Sequence, residues 1–540
     1  MNKLFIQLLK SRNLTPDFLH PHYEKLADPF TMPDMKKAID RIKQAIDSNE
    51  RILIYGDYDV DGVTASTVME QALIMAGAKS DNLSIMLPDR FADGYGMSPK
   101  LVKRAVEQNI NLVITVDCGS RNHDIVAQLN SSNIDCVITD HHETDDELPK
   151  AIAIVNPKRK DYQAQNGLRD LAGVGVAFKI AQALTKEGMI KDGQEKWLLD
   201  LVVIGTMCDS MPITNENRIL GFYGLKVLEQ TRRLGLKELM KNAGVNKLNS
   251  DSVGFQIGPR LNAAGRLKTA DLALNLLRAS SPAEAANLAA KLEELNKQRK
   301  TEQLSAVKEI DQRGVSNEPV IVEAGKWHEG IIGIVAGRLV EKYHRPAFVF
   351  TELENGTFKG SSRSFGDFNL AEALSNLEDA IISGGGHAGA AGVRIAENQL
   401  ETFRARINDY YRNLHLSDQS KFFISQPDLE VEEFSDFTLE FMQDLRLLEP
   451  FGAGNEEPIF LLKNVSIRGL RTMGADGQHL RIDLADQNGK TLKLVAFYAP
   501  EKWLNLDPDY DQIEPIVKLV ENDFNGVRSV EARIIDLNMV

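Results

Sequence analysis

Between residues 50 and 210 four short runs are β-rich and largely apolar: Ile52–Tyr55, Leu112–Val116, Cys136–Thr139 and Ala151–Val155. Stretches of helical period separate them. Continuous apolar strands alternating with helices predict a parallel sheet covered on both faces. In such sheets ligands gather beyond the carboxyl ends of the strands. Residues 1–50 read as a helical arm punctuated by Pro16, Pro21, Pro29 and Pro33. Further on, Ser281-Pro282-Ala283-Glu284 combines an N-cap, a proline at the first helical position and a capping-box glutamate. Ala285, Leu288, Ala289, Leu292 and Leu295 continue as a helical stripe, and Gly314 is a fitting stop. At a rise of roughly 1.5 Å per residue, this helix could hold two domains well apart. Its charged second half suits a solvent-exposed connector better than a nucleic-acid contact.

A second α/β unit follows, with strands at Pro319–Val322 and Pro346–Phe350 and a helix at Ile331–Tyr343. Beyond about residue 425 the pattern is mainly β. His479–Leu484 and Thr491–Tyr498 flank a turn carrying Asn488-Gly489, a strong hairpin signal. Ile516–Val520 and Val527–Ile535 add strands, and a small barrel is expected. The fold class is therefore α/β with a C-terminal β-barrel. The expected division is 1–50 helical arm, 51–280 first α/β domain (core 51–210), 281–314 connecting helix, 315–415 glycine-rich second α/β domain, and 425–540 barrel.

The chain has 540 residues, 43% hydrophobic and 26% charged, as expected of a multidomain globular protein. A net charge of −14 argues against a large basic surface but not against a locally basic groove. Cys118, Cys136 and Cys208 have no C-x-x-C spacing, so no disulfide framework is expected and a cytoplasmic location is the default. No run approaches the roughly 20 apolar residues of a membrane span, and the opening residues do not read as a signal peptide.

The chemistry concentrates at strand ends. Asp57, Asp59 and Asp61 stand at every second position in Gly56-Asp-Tyr-Asp-Val-Asp-Gly62, straight after an apolar strand. Three crowded carboxylates repel one another, and hard divalent cations with oxygen ligands are the natural counter-charge. The alternative is a polar turn with an Asx-type cap. Asp117 follows the next strand; alone it would as readily be a helix cap. Asp140-His141-His142 ends another strand and adds imidazole. Asp59, Asp117 and Asp140 all lie just past strand ends, so one site could collect them. Asp209, closing Val202–Asp209, is a further candidate, weak in isolation. Cys118 and Cys208 read as buried strand packing.

Gly56–Gly62 together with Asp140-His141-His142 resembles the DHH phosphoesterase superfamily. Gly384–Gly392 is similar to the glycine-rich signature of its associated C-terminal domain. Longer stretches resemble the bacterial RecJ family of single-strand-specific 5′→3′ DNA exonucleases: Pro88–Phe91 with Asp93–Gly96, Leu171–Val176, Gly258–Arg266, Trp327–Gly330 and Leu448–Gly454. Cys208 stands where alanine is usual and Glu456 where proline is usual.

The resemblance implies a two-ion site. Asp59, Asp61, Asp117, His141 and Asp209 are then ligands, with Asp57 a ligand or a partner of one. Asp140 orients the histidines, and His142 ligates or contacts the scissile phosphate. Mixed carboxylate and imidazole ligation favours Mn²⁺, with Mg²⁺ as the alternative. Two ions about 3.5–4 Å apart can activate water and hold both oxygens of an in-line displacement. The resemblance further implies a 5′-phosphate pocket of Arg90, Arg266, Ser361 and Arg363. Arginine forks suit phosphate oxygens, although Ser361–Ser364 alone could be a surface loop. Tyr95 is assigned base stacking, against a packing role. His387 is assigned a phosphate hydrogen bond; otherwise its glycine run is a tight turn between strand and helix.

The terminal barrel resembles an OB-fold, which holds single strands by a basic groove and aromatic platforms. Lys463, Arg468, Arg471, Arg481, Lys490 and Lys493 supply charge. Phe497 and Tyr498 are stacking candidates, although one of two neighbours normally faces the core. The implied activity is release of 5′-mononucleotides from single-stranded DNA in repair and recombination. The protein is expected to be a monomer off the membrane, with a helicase or single-strand-binding protein as candidate partners. The rivals are a DHH enzyme of short oligonucleotides or cyclic dinucleotides, an inactive DNA-binding scaffold and, more remotely, an inorganic pyrophosphatase.

Overall fold

A computed structural model covers the chain and describes all residues except 95, 165–166, 354–355, 417–418, 423–425, 475, 509 and 540. It divides into two compact units: Met1–Leu26 with Pro212–Phe222 and Ile424–Val540, and Ala27–Met211 with Tyr223–Phe423.

The larger unit opens on a five-stranded sheet of β1 (Ile52–Tyr55), β2 (Leu83–Met86), β3 (Leu112–Val116), β4 (Asp135–Thr139) and β5 (Ala153–Val155), in the order β2-β1-β3-β4-β5. Every pairing is parallel. Four strands match the apolar runs. β2 has no such signature, because Leu83-Ser-Ile-Met86 is a half-buried edge with a polar interruption. Leu53, Tyr55, Val113, Cys136 and Ile138 pack on one face with Leu101, Ala105, Val126 and Leu129 of two helices. Helices Val60–Met75 and Gly173–Lys186 cover the other. The chain leaves β1 to one side for β2 and to the other for β3, so the crevice between β1 and β3 is where such a sheet binds its ligand.

The long helix runs Pro282–Arg313 between the expected boundaries, with Ser281 Oγ accepting from Glu284 N at 3.3 Å. It connects the two α/β domains, with Lys297, Lys300, Lys308, Glu309 and Arg313 exposed, but it is not exposed all round. Ala285, Ala289, Leu292, Leu295, Asn296, Arg299, Gln303, Ala306 and Ile310 form a buried face along its whole length, because it packs on helices Leu234–Ala243, Gly258–Leu267 and Ile332–Tyr343.

β6 (Ile321–Gly325), β7 (Ala347–Leu353), β8 (Thr357–Arg363), β9 (Ser383–Gly386) and β10 (Ala390–Ala396) form a second sheet in the order β6-β7-β8-β10-β9. Ser361 and Arg363 are therefore on a strand, not in a surface loop, and alternate with Ser362, which is buried. The glycine run is the β9–β10 hairpin rather than a strand-to-helix turn. Cys208 likewise ends a helix, Leu199–Cys208, rather than lying in a strand; the run before it is apolar on all sides because that helix is buried.

In the smaller unit β11 (Leu429–Val431), β12 (Phe460–Leu462), β13 (Ser466–Met473), β14 (His479–Ala485), β15 (Thr491–Ala496), β16 (Ile513–Phe524) and β17 (Val527–Met539) form one mixed sheet. Its order is β11-β12-β16-β17-β15-β14-β13, and among the described residues the ladder ends at β11 and β13 without closing. Gly489, at φ 79°, makes the β14–β15 turn. The arm expected over 1–50 is divided: Leu4, Phe5 and Leu8 join the core of this unit with Phe434, Phe441 and Leu480, whereas Met35–Asp47 belongs to the larger unit. Arg12 fastens the first helix to Asp428 through paired bonds of 2.6 and 2.8 Å.

Phe497 and Tyr498 are both exposed, contrary to the strand rule, because β15 ends at Ala496 and Tyr498 turns with φ 52°. His479 meets both rings edge-on at 5.4 and 4.9 Å. Lys463, Arg481 and Lys493 are neutralised by Glu430, Asp483 and Glu531, and Lys490 donates to the Ser435 carbonyl. Arg468 and Arg471 stand exposed on β13 without an ion pair among the described residues.

Candidate metal centre

Three of the acidic segments, after β1, β3 and β4, leave the carboxyl edge of the larger unit's first sheet, and the fourth ends a helix. After β1, Asp59 caps the helix Val60–Met75, accepting from Gly62 N at 3.0 Å. Asp61 lies within the first turn and turns inward. Its two oxygens accept from Gly173 N at 2.6 Å and Val174 N at 2.9 Å, so it also caps the helix Gly173–Lys186. Backbone amides at a helix start favour a negative charge. Asp117 follows β3 in the left-handed region at φ 63°. That backbone places its Oδ1 3.1 Å from His141 Nε2. Asp209 ends the helix Leu199–Cys208, and its Oδ2 lies 3.7 Å from the same nitrogen.

Three triplets have ligand atoms mutually within 4.8 Å: Asp57-Asp59-Asp117, Asp61-His141-Asp209 and Asp117-His141-His142. They share Asp117 and His141, as a centre of more than one cation requires. Asp57 Oδ1 and Asp117 Oδ1 are buried with no hydrogen-bond partner. Among the described residues no lysine or arginine pairs with Asp57, Asp61 or Asp117. Burial, then repulsion from Asp59, lifts Asp57 to about 8, and the same two causes lift Asp209 to about 7. Burial raises Asp61 and Asp117 well above the ordinary carboxylate range, with repulsion from Asp209 and Asp61 respectively adding to it. Buried carboxylates this close need either protons or a cation. Oxygen donors with one or two imidazoles suit Mn²⁺ or Mg²⁺.

Asp140 has a different role. Its Oδ2 accepts from Ser120 N at 2.9 Å, and its Oδ1 from His141 N at 2.7 Å, His142 N at 3.1 Å and His142 Nδ1 at 2.8 Å. Burial alone would raise its pKa. The hydrogen bond and charge of His142 outweigh that and hold it well below the usual carboxylate range. His142 responds in the opposite sense: burial lowers it, but the bond to Asp140 raises it. Donation from Nδ1 directs the ring lone pair to Nε2. Burial drives His141 down to about 3, so its imidazole is neutral and suited to ligation.

Four positioning residues have no role assigned on sequence grounds, although Gly173 and Gly330 lie within Leu171–Val176 and Trp327–Gly330. Asn156 follows β5 and is fully buried; its Nδ2 donates to Ser120 Oγ at 2.8 Å and the His142 carbonyl at 2.9 Å. It stands one residue past an apolar strand, the signal that marked Asp117. Gly173 and Gly205 leave no room for a side chain: a Cβ would lie 2.5 Å from Asp117 Cβ in the first case and 2.7 Å from Asp61 Oδ1 in the second. Gly330 lets its segment approach the Arg266 carbonyl, which a Cβ would meet at 1.8 Å.

Arg90, Arg266 and Arg363 are half-buried and make no ion pair among the described residues. Arg90 lies 5.1 Å over the Tyr58 ring. Burial, then repulsion from Arg90, Arg299 and Arg363, lowers Arg266 to about 9. Burial and Arg90 lower Arg363. Ser361 and Arg363 both face Gly333 on the helix Ile332–Tyr343. Three guanidiniums that hold no ion pair among the described residues, with Arg90 and Arg363 repelling Arg266, are of the chemistry that suits an anion. His387 is exposed at the β9–β10 turn, where its backbone N donates to the Ala390 carbonyl at 2.8 Å; among the described residues no side-chain hydrogen bond or ion pair joins it to this cluster. Tyr95 lies outside the described residues.

Comparison with known proteins follows the same divisions. The DHH family N-terminal domain matches residues 51–206, the DHHA1 domain 317–413 and the RecJ OB domain 428–536. The chain is 38% identical over 528 residues to the single-stranded-DNA-specific exonuclease RecJ of Bacillus subtilis, covering 96% of this chain and 65% of that protein. It is 33% identical over 526 residues to the Salmonella typhimurium protein of the same name, covering 93% and 89%. The crystal structure of RecJ in complex with Mn²⁺ from Thermus thermophilus superposes with a TM-score of 0.83 at 28% identity, covering 100% of this chain and 76% of that one. A crystal structure of exonuclease RecJ bound to manganese gives a TM-score of 0.63 at 30% identity, covering 72% and 97%.

Proposed function

The chain belongs to the RecJ family of DHH phosphoesterases, and on that premise we propose that it is a metal-dependent exonuclease hydrolysing single-stranded DNA 5′→3′ to 5′-mononucleotides in repair and recombination. The observation that carries this reading is the shared donor set around Asp117 and His141, with Arg90, Arg266 and Arg363 holding no ion pair among the described residues.

Asp57, Asp59, Asp61, Asp117, His141, His142 and Asp209 would hold two divalent cations, Mn²⁺ before Mg²⁺. Such a pair supplies an activated water and neutralises charge on the phosphodiester. The protein's own groups do the positioning. The Gly173 and Val174 amides fix Asp61, and Asp140 fixes both histidines. Arg90, Arg266, Ser361 and Arg363 would receive the 5′-terminal phosphate and set which phosphodiester reaches the cations. Release of one nucleotide at a time then follows from a fixed distance between the two sites. His387 is assigned a phosphate hydrogen bond, and Tyr95 with the exposed Phe497 and Tyr498 rings is assigned base stacking.

The same reading has the chain acting as a monomer in the cytoplasm, on strands presented by a helicase or a single-strand-binding protein. Three free cysteines suit a reducing compartment. No helix among the described residues is long and apolar enough to cross a membrane. The test is digestion of an oligonucleotide labelled at one end or the other, with Mn²⁺ or with chelator. Label at the 5′ end should appear at once as mononucleotide, only with metal. Mononucleotide released first from the 3′ end, or full cutting in chelator, refutes the proposal.

A further inference from the structure

One short segment meets Arg266, Ser361, Arg363 and the residue beside Arg90. It runs from Trp327 to Gly333, past the end of β6 and into the helix Ile332–Tyr343. At its far end a Cβ on Gly333 would lie 2.9 Å from Ser361 Oγ and 3.4 Å from Arg363 Nη2. At its centre Arg266 Nη1 donates to the Gly330 carbonyl at 3.4 Å, and a Cβ on Gly330 would stand 1.8 Å from the Arg266 carbonyl. Near its start the His328 ring meets that of Phe91, the residue after Arg90, at 5.4 Å with 84° between the planes.

Two of the three polar side chains in this segment are committed to the protein. Trp327 Nε1 donates to Glu309 Oε2 at 2.9 Å, and Glu329 pairs with Lys359 at 2.6 Å. The third, His328, is exposed, and its Nδ1 accepts from Gly330 N at 3.0 Å. That nitrogen lies within 4.9 Å (3.1 plus 1.8) of the Arg266 carbonyl, because a Gly330 Cβ would stand 3.1 Å from the one and 1.8 Å from the other. With Nδ1 accepting, the neutral ring carries its proton on Nε2. Among the described residues Nε2 has no hydrogen-bond partner. Closing a turn on the amide two residues ahead is ordinarily done by asparagine or aspartate. An imidazole closes it and presents a second, donating nitrogen as well.

Resting on the exonuclease reading above, we infer that His328 is a further contact of the strand's terminal phosphate: its Nε2–H donates to a phosphate oxygen while its Nδ1 holds the Gly330 turn against Arg266. A neutral donor suits this place. It adds a bond to the anion without adding repulsion among the arginines, and unlike a carboxylate it cannot pair with them. The amino end of the helix Ile332–Tyr343, at Gly333, favours negative charge on the same segment.

The two ring nitrogens can be tested apart. His328→Asn keeps an acceptor for the Gly330 amide but stops short of the Nε2 position. His328→Gln sets an amide donor near that position and gives up the Nδ1 acceptor. Both are compared with the unaltered protein in Mn²⁺, on one oligonucleotide carrying a 5′-phosphate or a 5′-hydroxyl. The ratio of KM for the hydroxyl end to KM for the phosphate end isolates the terminal phosphate from internal ones. It should fall about tenfold in His328→Asn, the loss of one charge-assisted hydrogen bond, with the melting temperature kept. It should fall less in His328→Gln, although that protein melts lower. A ratio unchanged in His328→Asn, or one that falls no further there than in His328→Gln, makes His328 a cap of the turn alone and overturns the inference. Binding of inorganic phosphate, followed by calorimetry on the full chain in chelator, is the independent arm: it should weaken about tenfold in His328→Asn. If the unaltered protein does not cut from the 5′ end, the exonuclease reading fails, while an unchanged phosphate affinity in His328→Asn sinks the His328 assignment.

Discussion

Gly173→Ala tests how tightly the candidate centre is built, since it adds one methyl group and no charge. Gly173 opens the helix Gly173–Lys186, and its amide donates to Asp61 at 2.6 Å. The new Cβ would lie 2.5 Å from Asp117 Cβ and 2.6 Å from Asp117 Oδ1, whereas ordinary contact begins near 3.4 Å. Either Asp117 or the helix start must move by about 0.9 Å, the shortfall between 3.4 and 2.5 Å. Neither can move freely. Asp117 is held in a left-handed turn with His141 3.1 Å from its Oδ1, and the helix start is held by Asp61. Overpacking of this kind costs about 1–3 kcal/mol, and a ligand misplaced by about 1 Å can cost about 10²-fold in rate. We expect kcat on a single-stranded oligonucleotide in Mn²⁺ to fall about a hundredfold while the protein remains folded. Gly337→Ala is the control: nothing lies within 4 Å of its Cβ, and the site is within the helix Ile332–Tyr343. It should gain up to about 1 kcal/mol in stability from helix propensity and keep its rate. A Gly173→Ala protein with kcat within threefold of the original would show that the contact is relieved without disturbing Asp117, and the reasoning would be wrong.

Two further outcomes are expected. In chelator-stripped protein Asp57 and Asp209 are raised to about 8 and about 7, so the folded chain holds protons that the unfolded chain has released. Their stabilising contribution is full below about pH 4, the unfolded value, and is lost as pH rises through 7 and 8. The melting temperature in chelator should therefore fall between about pH 5 and 8.5, and saturating Mn²⁺ should remove the fall; a flat profile in chelator would contradict it. Elsewhere, Arg233 Nε pairs with both oxygens of buried Asp200 at 3.2 and 3.1 Å, and its Nη2 donates to Gln71 at 2.8 Å. Arg233→Ala strands that carboxylate and should cost about 3–5 kcal/mol in denaturant unfolding. It should leave kcat unchanged, since Gln71 is twelve residues (71 minus 59) and about 18 Å along the helix from Asp59.

How far the sequence foretold this molecule depends on whether a feature is local. Strand ends are local: an apolar run, then a polar residue, announces both the sheet and the place where ligands emerge. Asp57, Asp59, Asp61, Asp117 and Asp140 were legible on that ground, and the Ser281 cap with Gly314 fixed both ends of the long helix. Other properties depend on what the fold brings alongside. The charged half of that helix looked solvent-exposed because periodicity reports polarity and not neighbours; Arg299 and Gln303 are polar and buried at once. Asp209 was weak in isolation because its segment is a helix end, and only packing brings it to His141. The glycines at 173 and 205 are invisible to propensity, since their requirement is a carboxylate from a distant segment where a methyl group would stand. Asn156 is the instructive case: it obeys the strand-end rule but, as an amide, carries no charge to mark it, yet it ties Ser120 to the histidine loop. The strand-end rule thus marks where a side chain emerges, and whether that side chain ligates or positions is decided by the partners that the sheet sets beside it.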